Sequence, residues 1–101
     1  MEERAKIIAD LLKLLANENR LLILCALIKG PMSVGKIAEF IPNITSSALS
    51  QHLNLLRRAG ILGSNKSAQT VTYFIVDIKV TEVISTLKKY YCKDEDFEDV
   101  K

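Results

Sequence analysis

Residues 45–60, TSSALSQHLNLLRRAG, followed at once by residues 61–76, ILGSNKSAQTVTYFIV, decide how this chain is read. In the first segment Leu49, Leu53 and Leu56 recur at helical spacing, with Ser46, Ser47, Ser50, Gln51 and Asn54 on the outward side. Thr45 or Ser46 can accept the unpaired amides of a first turn, and Gly60 ends the run, so the spacing predicts a helix over 47–59. In the second segment the period drops to two. Val71, Tyr73 and Ile75 alternate with Thr70, Thr72 and Phe74, which reads as a strand over 69–76. Residues 61–64 read as its shorter partner and residues 65–68 as the polar connection, giving a β-hairpin.

Upstream, Ser33 caps a short helix through about Phe40 that buries Val34, Ile37 and Phe40, and Pro42-Asn43 turns the chain into the segment above. Two short helices joined by a tight turn have the helix-turn-helix shape. Before them, Asn17 caps a helix over 18–29 that is apolar almost all round from Leu21 to Ile28, so it lies centrally; Gly30-Pro31 ends it. Residues 3–16 carry Ile7, Ile8, Leu11, Leu12, Leu14 and Leu15 on one face, with Lys6, Asp10 and Lys13 opposite. Downstream, Asp77 caps a last helix with Val80, Val83, Ile84, Leu87 and Tyr91 on one stripe. The expected fold is mainly α with a β-hairpin, in the order ααααββα: a winged helix-turn-helix with helices added at both ends. The first and last helices hold more apolar surface than a compact winged helix buries. Leu11, Leu15, Val83, Leu87 and Tyr90 or Tyr91 are therefore candidate homodimer residues, unless these stripes pack only on their own domain.

A chain of 101 residues holds one domain, and 49% hydrophobic with 26% charged residues is a globular balance. No apolar run is long enough to span a bilayer, and the mixed-charge start from Met1 to Lys6 has no apolar core behind it. No membrane association and no secretory signal are expected. The net charge of +2 conceals two opposed regions. Five of the 12 acids lie in residues 94–101, so residues 1–93 carry 13 basic against 7 acidic side chains. Residues 40–76 contain no acid, yet hold Arg57, Arg58 and Lys66. Such a stretch suits a polyanion, though an acidic substrate or a membrane surface would tolerate it too. The expected division is a DNA-binding and dimerisation domain over 1–93 and a disordered acidic tail over 94–101. Two cysteines, Cys25 and Cys92, are too few for a disulfide scaffold and point to a reducing cytoplasm. There is no base-paired nucleophile, no carboxylate pair on a shared face and no glycine-rich phosphate loop, so an enzyme is not expected.

The major groove of DNA accepts one helix, whose N-terminal turns present side chains to base edges. Gln51 both donates and accepts, which suits adenine, while Ser46, Ser47 and Ser50 can serve bases or phosphates and Asn54 extends the same face. Arg57 and Arg58 face phosphates two turns on, or one of them pairs with an acid on the core side. Lys66 and Gln69 at the hairpin are the candidate wing contacts, or a solvated tip. His52, the single histidine, is placed beside Leu53 to fix the helix, with a phosphate contact as the alternative. A symmetric dimer would double these contacts and read a palindromic operator in double-stranded DNA, with half-sites about 10 base pairs apart or a multiple of that.

Leu12 to Leu24 (LKLLANENRLLIL), Ser33-Val34-Gly35-Lys36-Ile37, residues 47–60 (SALSQHLNLLRRAG) and residues 69–73 (QTVTY) occur in an order and spacing that resembles the ArsR-type bacterial repressors. These are dimeric winged-helix transcription factors, and the similarity runs nearly to Cys92. Cys25 and Cys92, with their flanks Ile23-Leu24 and Tyr90-Tyr91, are similar to the cysteine pair of the persulfide- and redox-sensing subgroup. The resemblance implies that Ser46, Ser47, Ser50 and Gln51 read the operator. It also implies that reactive sulfur or an oxidant, as inducer, links Cys25 to Cys92 as a di-, tri- or tetrasulfide within one subunit. Metal-responsive members place Cys-x-Cys on the third helix, or Asp and His on the last. Residues 33–36 have no thiol and residues 77–92 no histidine, so neither a metal site nor a cofactor is expected. Two alternatives stay open. One is a regulator of this family without thiol sensing, answering a metal or another signal or acting as an anti-repressor. The other is a winged-helix protein-interaction module.

Overall fold

The structure is a computed structural model and describes residues 1–92. Its elements are α1 (Glu2–Leu15), α2 (Glu18–Leu27), β1 (Met32–Ser33), α3 (Val34–Glu39), α4 (Ser46–Arg58), β2 (Leu62–Ser67), β3 (Thr70–Ile75) and α5 (Ile78–Tyr91). This is the winged helix-turn-helix expected, with one small strand added. The expected acidic tail over 94–101 lies outside the described residues.

Four helices begin on a side-chain cap. Asn17 Oδ1 accepts from the Arg20 amide at 3.0 Å, Ser33 Oγ from Lys36 at 3.1 Å, Thr45 Oγ1 from Ala48 at 3.0 Å and Asp77 Oδ1 from Lys79 at 2.9 Å. Each satisfies an amide with no partner inside the helix, typically a contribution of ~1 kcal/mol. Of the two candidates for α4, Thr45 is the cap and Ser46 the first helical residue. The α2 helix stops at Leu27, short of residue 29, because Gly30 at φ 141° closes the turn ahead of Pro31.

The three-stranded antiparallel sheet has the order β1-β3-β2. Sequence pattern misses β1, since two residues carry no period; Met32 pairs with Tyr73 and Ser33 with Thr72. It also misplaces the hairpin turn. Asn65, Lys66 and Ser67 continue the ladder opposite Thr72, Val71 and Thr70, leaving Ala68 and Gln69 as the two-residue turn. Those ladder residues of β2 are solvent-exposed, so burial imposes no alternation on them, and their polarity imitates a loop.

Among the described residues nine large side chains are fully enclosed: Ile23, Leu24, Ile37, Leu49, Leu53, Leu56, Ile61, Val80 and Ile84. They come from α2, α3, α4, α5 and the start of the hairpin, with α2 central as its all-round apolarity requires. At the base of the wing, Gly63 lies under the Phe74 ring. A Cβ there would stand 2.6 Å from Phe74 Cε1 and 3.1 Å from Val76 Cγ1. Gly63→Ala is therefore expected to lower stability by about 1–3 kcal/mol, since the Phe74 ring and the Val76 side chain must both give way. A melting curve checks this, and an unchanged midpoint would refute the close packing.

Candidate nucleic-acid interface and thiol cavity

Leu49, Leu53 and Leu56 press one side of α4 into the core, and this fixes what the other side offers. Ser46, Ser47, Ser50, Gln51, Asn54, Arg57 and Arg58 are all exposed, as the helical period predicts. Their first two turns are polar, uncharged and short, able to approach a base edge. Arg57 Nη2 donates to Asn54 Oδ1 at 3.4 Å, which steers that guanidinium along the helix. Among the described residues neither Arg57 nor Arg58 forms an ion pair with an acid. Lys66 is exposed on β2 and Gln69 at the hairpin turn beside Ala68, whose φ of 55° is uncommon for a residue with a Cβ.

His52 is half-buried, and its partner was invisible in the sequence. Arg20 of α2 approaches His52 Nδ1 with Nη1 at 3.4 Å, while its Nε donates to the Leu14 carbonyl and its Nη2 to that of Lys13 at 3.4 Å. One guanidinium thus joins the last turn of α1 to α4. A contact across 32 residues leaves no local signal; only the Asn17 cap beside Arg20 marks the site. Burial, and then the Arg20 charge, hold His52 below its usual value of 6.5. The unfolded chain consequently takes up this proton more readily than the folded one, and stability is lost as pH falls below about 6.5 toward the folded value. We expect His52→Gln to flatten that part of a stability-against-pH curve, read by urea unfolding between pH 5 and about 8. An equally steep curve in the variant would exclude His52 as its source.

The α2 helix also packs against α5. Cys25, in the last turn of α2, and Cys92, at the end of α5, line one cavity of about 460 Å³ together with Leu21, Leu22, Ile84, Leu87 and Tyr91. Glu18 and Lys88 are the charged residues of its wall. Both cysteines are free and half-buried. Burial pushes the Cys25 thiol up, the neighbouring Cys92 adds to this, and Lys88 opposes it. Among the described residues no three His, Cys, Asp or Glu side chains gather as a metal site.

The candidate dimer residues differ in their exposure. Leu15 is only 4% exposed and packs in the core of its own protomer, so it is not available to a second chain. Leu11 is half-buried. Val83, Leu87, Tyr90 and Tyr91 stand out in solvent, as do Ile7, Ile8 and Leu12 on α1, with Ile7 at 68% and Tyr91 at 84% exposure. Both α1 and α5 therefore leave an apolar face uncovered, and the helical spacing of their apolar residues was the signal for it.

Comparison with known proteins places this geometry. Residues 17–64 match the bacterial regulatory proteins of the arsR family. The chain is 42% identical over 93 residues to the transcriptional activator HlyU of Vibrio cholerae, covering 92% of this chain and 85% of that protein. It is 34% identical over 95 residues to the biofilm growth-associated repressor of Xylella fastidiosa, covering 94% and 82%. The structure of reduced HlyU from V. cholerae superposes with a TM-score of 0.86, covering 92% of this chain and 97% of that one. The transcriptional repressor BigR of X. fastidiosa superposes at 0.83 with 33% identity, covering 92% and 94%. No helix of the described residues is long and apolar enough to cross a membrane. The chain belongs to the arsR family of bacterial regulatory proteins, and is a DNA-binding transcriptional regulator rather than an enzyme.

Proposed function

We propose that the protein is a cytoplasmic homodimer that binds a palindromic operator and leaves it when reactive sulfur or an oxidant joins Cys25 to Cys92. One observation carries this reading: the two cysteines, 67 positions apart in sequence, open into a single cavity between α2 and α5. Two further facts support it. A solved structure of a relative with 42% identity is described as that of its reduced form. The exposed apolar faces of α1 and α5 are what a second copy would cover, and α5 carries Cys92 at its end.

The chemistry balances with a hydropersulfide, R–S–SH, as donor. A cysteine thiolate attacks the terminal sulfur, the S–S bond breaks, and R–S⁻ leaves. The second thiolate then attacks the modified cysteine's own sulfur and expels hydrosulfide. The dithiol loses two electrons and the donor's sulfane sulfur gains them. The covalent link ties α2 to α5, shifts the dimer angle, and separates the two α4 helices from successive major grooves. DNA contacts fall to Ser46, Ser47, Ser50, Gln51 and Asn54 for bases, and to Arg57, Lys66 and Gln69 for the backbone and wing.

Mass spectrometry after treatment with a sulfane-sulfur donor is expected to show a Cys25–Cys92 cross-link, with loss of the gel shift on a palindromic duplex. The double variant Cys25→Ser, Cys92→Ser should bind DNA and ignore the donor. If that variant still releases DNA, the dithiol is not the sensor.

A further inference from the structure

Both thiols sit against a wall made mostly of leucine, isoleucine and tyrosine, with Glu18 and Lys88 as its charged members. A volume of about 460 Å³ falls in the range of small-molecule sites, far above what one sulfur atom or a peroxide needs. We propose that the cavity between α2 and α5 is a recognition site for uncharged organic sulfur electrophiles with an apolar group, and that it sets which compounds reach Cys25 and Cys92. This rests on the dithiol reading above and adds the class of compound.

The argument is one of transfer. An apolar group entering between Leu21, Leu22, Ile84 and Leu87 leaves water and gains close contact with the walls. A donor carrying a carboxylate or sulfonate must shed its hydration against the same side chains, and the two charges of the wall, Glu18 and Lys88, act on it with opposite sign and offer no net compensation. Small uncharged oxidants meet no such barrier, yet they gain nothing from the walls either. The cavity therefore favours donors by the group they carry, at fixed intrinsic reactivity. Leu87 and Tyr91 line the cavity and also belong to the exposed α5 face proposed for the dimer, so an occupant touches the seam it has to move.

Methanethiosulfonates test this, because one reactive group accepts many substituents. The cysteine thiolate attacks the sulfenyl sulfur, methanesulfinate leaves, the thiol proton passes to water, and a mixed disulfide with R–S remains. Rates at Cys25 and Cys92 are read by quenched peptide mass mapping for three probes: benzyl, methyl and 2-sulfonatoethyl methanethiosulfonate. Each is measured on the native protein and on the same protein unfolded in urea, which supplies the intrinsic ratios.

In the native protein the benzyl-to-methyl ratio is expected to exceed its unfolded value by about tenfold, and the sulfonate to fall below its own. Leu87→Gln, at a wall position already 42% exposed, is expected to fold and to bring the benzyl ratio toward the unfolded value. Native and unfolded ratios that agree within about twofold to threefold overturn the proposal, as does a Leu87→Gln protein that keeps the full preference. The sensing mechanism fails separately. DNA release by the donor in the double serine variant would sink sensing while leaving cavity selectivity intact, and loss of selectivity with thiol-dependent release would do the reverse.

Discussion

Gln51→Ala is expected to weaken binding to the operator by at least about thirtyfold while leaving fold, helix content and melting temperature unchanged. A bidentate side-chain contact to a base edge contributes about 1–3 kcal/mol, and in a symmetric dimer the residue acts twice, so about 2–6 kcal/mol is at stake. Gln51 is exposed on α4 and its side chain forms no hydrogen bond within the described residues, so removing its amide leaves nothing inside the protein unpaired. The measurement is a fluorescence titration at one fixed salt concentration against operator and scrambled duplexes, because phosphate contacts dominate both affinities and respond steeply to salt. Loss on the operator alone identifies a base-reading residue. Equal loss on both would make Gln51 a backbone contact, and no loss would remove it from the interface.

Leu24→Ala should be the most damaging single truncation in the core, at about 3–5 kcal/mol. Leu24 is fully buried near the middle of α2, the helix that packs on α1, α3, α5 and the sheet. A cavity there cannot collapse by moving one neighbour without loosening another. At about 4–8 °C of midpoint per kcal/mol for a domain this small, the melting temperature should fall by more than ten degrees. A shift below about 5 °C would mean that the surrounding helices close over the gap, and that α2 is less central than its burial indicates.

Much of this was legible because it is periodic. The α4 leucines, the β3 alternation and the Asn17, Ser33 and Asp77 caps are local signals, and the exposed face of α4 follows once its buried face is known. What escaped was non-local or lacked a pattern. Strand β1 exists only because β3 offers it partners, and the second half of β2 is held by main-chain hydrogen bonds, so its side chains say nothing of strand. Arg20 looks like a surface charge on a helix until folding brings it under His52 and the α1 carbonyls. Leu15 and Ile7 are both apolar positions of one helix; which of them turns inward depends on where α2 crosses. The neighbouring placement of Cys25 and Cys92 needed the α2–α5 packing, and resemblance to a family anticipated it where spacing did not.

The wing has a consequence for how such regulators diversify. Because Asn65, Lys66 and Ser67 pair through their main chains and project only into solvent, their side chains are almost independent of stability. If the wing meets DNA as proposed, substitutions there would retune contact with a flanking sequence while the hydrophobic centre keeps its shape. Gly63, a few residues away, has no such freedom beneath Phe74. Libraries built at the tip and held constant at the base would therefore search new operators without searching for a new fold.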